Sequence, residues 1–197
     1  MRRYLLPVLL LLCCAMSAAA REVEIPAIPG SAEEFIALRD QLARTPEGGA
    51  AATVAALLAF SQNERVGLQC LTLILDQGNV GRGNVIQGRA PIGSIMYHIE
   101  RITKYQMWPY LGFAYVKGAS AESNYAVSPP YRVVTRRQRN SGNEASGQVK
   151  VMVDCYGFRP RPITLVRNDK GIWKADEMSS LFLNVAPPAS TRPIDDL

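Results

Sequence analysis

Residues 148–185 read QVKVMVDCYGFRPRPITLVRNDKGIWKADEMSSLFLNV, and the fold is decided here. Val149, Val151, Val153 and Cys155 alternate with Lys150, Met152, Asp154 and Tyr156, and a period of two with β-branched residues on one side marks a half-buried strand. Pro160 and Pro162 then remove two backbone donors, so the chain bends or runs along an edge. Residues 163–167 and 172–175 form the next pair of strands. They are joined by Asn168-Asp169-Lys170-Gly171, whose side chains suit a tight turn. Trp173 is the largest apolar group of this hairpin and is expected to face the core.

Upstream, the period changes. Ser31 with Glu34 three residues on gives a capping box, followed by Phe35, Leu38 and Leu42 on one helical face. Thr45-Pro46-Glu47 starts a second helix with proline where its missing donor costs nothing, and residues 50–60 are apolar nearly all round, so this helix belongs in the interior. Asn63 caps a third helix carrying two apolar stripes, Leu68/Leu71/Leu75 and Val66/Cys70/Leu73. The glycine-rich segment 78–88 reads as a loop, and Ile92, Ile95, Met96, Ile99 and Ile102 mark a fourth helix. Alternation returns at 111–117 and again at 131–138, with loops at 118–130 and 140–147.

Helices first and strands last predict an α+β fold: a bundle of about four N-terminal helices packed on a C-terminal antiparallel β-meander of about four to five strands. The expected organisation is a signal peptide (1–20), an extended lead (21–30), a single α+β domain (31–188, helical half 31–105, strand half 111–185) and an acidic tail (189–197). The signal reading rests on Arg2 and Arg3, the apolar run 5–15 and the small-residue site Ala18-Ala19-Ala20. That run is short for a membrane span, so no stable span is expected once it is removed. The expected location is periplasmic or extracellular. Cys13 and Cys14 lack the small residue expected before a lipidated cysteine, which argues against a lipid anchor.

The run RPITLVRNDKGIWKADEMSSLFLNVAPP, with Gly118, Asn124-Tyr125 and Pro130-Tyr131 upstream, resembles an uncharacterised family of exported bacterial proteins known only as a domain of unknown function. The likeness extends from Glu33 to Pro188. It implies an α+β domain and export, and brings no activity or site residues. Met178 stands where an aromatic is expected, and Cys155-Tyr156 where small polar residues are.

Chemistry-bearing motifs are sparse. His98 is the one histidine of the chain, so a hydrolase would need Ser120 or a cysteine beside it; Gly118-Ala119-Ser120-Ala121-Glu122 ends in Glu where a nucleophile elbow needs Gly. One His and two distant Cys, Cys70 and Cys155, do not make a metal site, and no cofactor motif is present: Gly81-Arg82-Gly83 is followed by Ile86 where a dinucleotide fingerprint needs Gly. In an oxidising compartment Cys70 and Cys155 could bridge; the alternative is two separately buried thiols.

The charge distribution is more informative. The sequence carries a formal charge of +5, and between Tyr131 and Lys174 ten basic residues face three acidic ones. Arg132, Arg136, Arg137 and Lys150, interleaved with Tyr131 and Tyr156, are the candidate binding residues for an anionic envelope polymer or an acidic protein. The plainer reading is that these charges keep a hairpin soluble. Export disfavours nucleic acid as the partner. The sequence therefore points to an exported, non-catalytic binding or structural module, with the Ser120 or Cys/His98 hydrolase as the alternative.

Overall fold

In the computed structural model, residues 19–183 and 185–192 are described; the expected signal peptide falls almost wholly outside them, as does most of the acidic tail. Among the described residues there are five α-helices and seven strands, giving an α+β fold. In chain order they are β1 (Arg21–Ile25), α1 (Ala32–Leu42), α2 (Pro46–Gln62), α3 (Glu64–Ile74), β2 (Val80–Ile86), β3 (Arg89–Pro91), α4 (Gly93–Lys104), α5 (Trp108–Leu111), β4 (Tyr131–Asn143), β5 (Gln148–Val153), β6 (Arg161–Arg167) and β7 (Trp173–Glu177). The five-stranded sheet has the order β1-β4-β5-β6-β7 and is antiparallel throughout, while β2 and β3 form a separate ribbon.

Helix α2 is the axle of the molecule. Every residue from Pro46 to Ser61 is buried, because the sheet packs on one side of the helix and α1, α3 and α5 pack around the rest. Its sequence explains how so many neighbours fit: alanines at 50, 51, 52, 55, 56 and 59 keep the helix thin. Two glycines bring partners closer still. A Cβ on Gly67 of α3 would lie 2.0 Å from Phe60 Cα, and one on Gly49 would lie 2.8 Å from Trp173 Cβ.

The helix starts follow local chemistry. Ser31 Oγ accepts from Glu34 N–H at 3.2 Å, Thr45 Oγ1 from Gly48 N–H at 3.1 Å, and Asn63 Oδ1 from Val66 N–H at 3.1 Å. The Ser31 box is not reciprocal in the usual sense, since the Glu34 carboxylate accepts from Gly30 N–H, one residue further back (2.8 Å).

On the sheet, Val133, Val149, Val151, Val153, Ile163, Leu165, Trp173 and Ala175 all point toward α2 and are at most 1% exposed. Each such aliphatic side chain taken out of water contributes roughly 1.5–3 kcal/mol. The opposite face carries Arg132, Val134, Arg136, Lys150, Met152, Thr164 and Val166, all exposed or half-buried.

Three expectations need correction. The lead at 21–30 is not merely extended: Arg21–Ile25 is an edge strand paired with β4 in the register Arg21↔Thr135 to Ile25↔Tyr131. Segment 78–88 is not a loop but a 3-10 turn followed by β2, whose Gly81 and Gly83 sit against Ile92 and Ala90 where a larger side chain would collide. Residues 111–117 are not a strand: α5 ends there and a 3-10 turn follows at Gly112–Tyr115, with Leu111, Gly112, Ala114 and Tyr115 all buried. The helices are therefore not all N-terminal, because β1 precedes them and both α4 and α5 follow the β2–β3 ribbon. One further piece of sheet comes from outside the strands, since Leu75, just past α3, bridges Ala175 of β7 in parallel.

Candidate functional site

The candidate basic residues divide by parity along β4. Tyr131, Val133, Thr135 and Arg137 turn toward α2; Arg132, Val134 and Arg136 turn to the open face. On β5 the same alternation buries Val149 and Val151 and sends Lys150 outward opposite Thr164 of β6. Arg132, Arg136 and Lys150 thus share the open face.

Tyr131 and Arg137 do not join them. Tyr131 is buried and meets Phe113 edge to face, with ring centroids 6.4 Å apart. Arg137 Nε and Nη2 reach Glu47 Oε1 and Oε2 at 2.6 and 3.1 Å, and Nη2 also reaches Glu144 Oε1 at 2.6 Å. Glu47 sits in the first turn of α2, where the helix dipole favours a carboxylate. Burial is the largest single influence and pushes its pKa up, but the forked bonds from Arg137, a backbone N–H and the charges of Arg137 and Arg21 together outweigh it and hold the pKa below the ordinary range.

The outward cations are partly compensated by acids. Arg132 Nε lies 3.4 Å from Glu22 and 3.2 Å from Glu24 on the neighbouring β1, and Lys117 Nζ lies 2.6 Å from Glu22. Lys117 is the largest cause of the lowered Glu22 pKa. Arg136 pairs with Asp154. Lys150 makes no ion pair among the described residues. Beside the Arg136–Asp154 pair, Tyr156, Phe158 and Pro160 line a shallow depression of about 320 Å³. Tyr156 is half-buried there, and burial raises its hydroxyl pKa.

The residues of the alternative hydrolase have separate surroundings. The His98 ring stacks on Phe182 with centroids 5.8 Å apart, its Nδ1 has no hydrogen-bond partner, and burial followed by the nearby Arg101 lowers its pKa. Ser120 Oγ bonds Ser123 Oγ at 3.1 Å. Cys70 and Cys155 are free, buried thiols whose pKa values burial raises, that of Cys70 to about 12. No hydrogen bond joins His98 to Ser120 or to either cysteine among the described residues.

A second cavity, of about 570 Å³, lies at the β7 edge of the sheet between α1, the end of α3 and the β6–β7 hairpin. Arg39, Arg44 and Lys174 line it. The sequence does not single them out, because Arg39 and Arg44, at and just past the end of α1, lie far along the chain from Lys174 in β7 and no local spacing connects the two segments.

A family model for a domain of unknown function (DUF6935) matches residues 27–189. The chain belongs to this family. No curated protein and no solved structure matches it. The DUF6935 match takes in α1 to α5, the β2–β3 ribbon and sheet strands β4 to β7, and so includes most of the open sheet face and the β7-edge cavity; β1 lies ahead of it. Among the described residues of this family member, no group of three or more His, Cys, Asp and Glu side chains is placed to hold a metal ion. No helix among them is long and apolar enough to cross a membrane.

Proposed function

We propose that this DUF6935 protein is an exported, non-catalytic binding module whose open sheet face contacts an anionic polymer of the cell envelope. The observation that carries the reading is the placement of Arg132, Arg136 and Lys150 together on the sheet face opposite α2, with Lys150 unpaired among the described residues. Arg132 and Arg136 hold partners that are themselves partly or fully exposed, and exposed ion pairs exchange readily because water and salt screen them. A polyanion laid along β4 and β5 could replace Glu22, Glu24 and Asp154 as the counter-charge. Half-buried Val134 and Met152 would give its backbone an apolar floor.

Export is supported by the basic, apolar and small-residue succession over residues 1–20. The separate surroundings of His98, Ser120 and the two thiols support a binding role over the hydrolase. Retention of the protein on a sulfated-glycan column and on isolated envelope fractions, at rising salt, tests the proposal. Binding that weakens with salt and falls at least fivefold in Lys150→Glu is expected. Retention indifferent to both salt and charge reversal at Lys150 and Arg132 would remove the sheet face from consideration, and retention on a polyglutamate column alone would redirect the search to acidic proteins.

A further inference from the structure

The cavity at the β7 edge contains an unusual amine. Lys174 Nζ donates to the Leu73 carbonyl, the same oxygen that accepts from Arg39 Nη1 at 3.2 Å. That carbonyl belongs to the last turn of α3, where cations are welcome, so one bond to each side chain is explained by helix capping. Capping leaves the rest of the ammonium without a counter-charge. An ammonium has three donors, and among the described residues no carboxylate lies within ion-pair distance of Lys174. Arg39 is tied to Asp40 at 2.7 Å, and Arg44 is held by the Asp40 and Lys170 carbonyls at 2.9 and 3.0 Å.

The charged groups facing Nζ across the cavity are Arg39, Asp40, Arg44, Asp76, Asp169 and Lys170. Burial first, and then the Arg39 charge, outweigh Asp76 and Asp40 and bring the Lys174 pKa down to about 8. At pH 7.5 such an amine is neutral roughly a hundredfold more often than an ordinary lysine. The cavity that Nζ borders is also large enough for a small ligand.

We propose that Lys174 is a reactive amine that condenses with a small carbonyl compound bearing an anionic group, the carbonyl carbon meeting Nζ and the anionic group resting on Arg39 and Arg44. The neutral nitrogen attacks the carbonyl carbon. The C–N bond forms, and the carbonyl oxygen leaves as water with the two hydrogens of the amine. The resulting imine takes one proton from solvent, and no oxidant or reductant is consumed. The end of α3 survives the loss of the Lys174 bond because Leu73 O keeps its bond from Arg39. This site is independent of the sheet face.

The test uses the full chain and pyridoxal 5′-phosphate as the probe, an aldehyde with an anionic group, followed by borohydride reduction and peptide mapping. Lys174 is expected to be labelled at least tenfold faster than Lys104, Lys117, Lys150 and Lys170. Measured against the other lysines, phosphate-free pyridoxal should favour Lys174 several-fold less than the phosphate probe does, and Arg44→Gln should reduce the preference of the phosphate probe. Lys174→Arg, which keeps a cation at the α3 terminus, should fold and lose the fast phase. Labelling of Lys174 at the rate of the other lysines, or a fast phase that persists in Lys174→Arg, would overturn the proposal and leave the amine as a helix cap only. Equal preference for Lys174 over the other lysines with the two probes would overturn the role of the arginines.

Discussion

Arg137 and Glu47 are joined by two bonds, 2.6 and 3.1 Å long, that fasten the middle of strand β4 to the first turn of helix α2. Glu47 is 5% exposed, so its charge depends on that partner. Removing Arg137 leaves a buried carboxylate with Arg21, 3.7 Å away, as its remaining ion-pair partner among the described residues. Arg137→Ala should cost about 2–3 kcal/mol, below the value for a fully enclosed pair because the arginine is one-third exposed. Urea midpoints for Arg137→Ala and Glu47→Gln would measure it.

The same pair sets an acid response. Because the folded Glu47 pKa is depressed, its contribution is fully present above the unfolded carboxylate range and is lost as pH falls through the folded value. Wild type should therefore lose more stability between pH 6 and pH 3 than Glu47→Gln does. Parallel curves for the two proteins would contradict this.

Lys174 acts in the alkaline direction. Its folded pKa, about 8, lies below that of the unfolded chain, so the unfolded state binds the extra proton between pH 8 and about pH 10.5 and stability rises with pH across that window. Relative to Lys174→Met, wild type should gain roughly 1–3 kcal/mol from pH 7.5 to pH 10, read from denaturant midpoints.

The packing around α2 predicts an asymmetry among substitutions. Gly67→Ala places a methyl 2.0 Å from Phe60 Cα, a backbone atom that cannot swing aside, so α2 and α3 must separate at a cost of about 1–3 kcal/mol or more. Trp173→Ala, at 1% exposure, should cost about 3–5 kcal/mol. Gly30→Ala, whose nearest contact is an ordinary 3.5 Å from a Glu34 oxygen, should change the melting temperature little.

Both thiols are buried, and burial holds them protonated. Iodoacetamide at pH 8 should leave Cys70 and Cys155 unmodified in the native protein and modify both in urea without prior reduction. A requirement for reductant in urea would mean that the two are joined.

Local chemistry was legible in the sequence and remote chemistry was not. The caps at Ser31, Thr45 and Asn63 each involve an acceptor and a donor three residues apart, so the residues themselves announce the helix starts. The inward set Val149, Val151 and Val153 follows from simple alternation. The same parity assigns Tyr131 and Arg137 to the buried side with Val133, which counting positions along β4 would have shown. By contrast, Arg21–Ile25 is too short to declare itself as a strand without its partner, and the glycines of β2 look like loop formers until Ile92 and Ala90 are seen filling the space above them. The Lys174 cavity has no local signature at all, since α1, α3 and β7 are brought together only by the finished fold.

The pairing of Arg21 with Thr135 has a consequence for biosynthesis. The two partners are 114 positions apart, and at a translation rate of about 5–20 residues per second the first strand waits on the order of ten seconds for the second to be made. Throughout that interval the alanine- and leucine-rich rod has no sheet to lie on. The greasy segment stays uncovered until the last strand is available, so the final compaction waits on the far end of the chain.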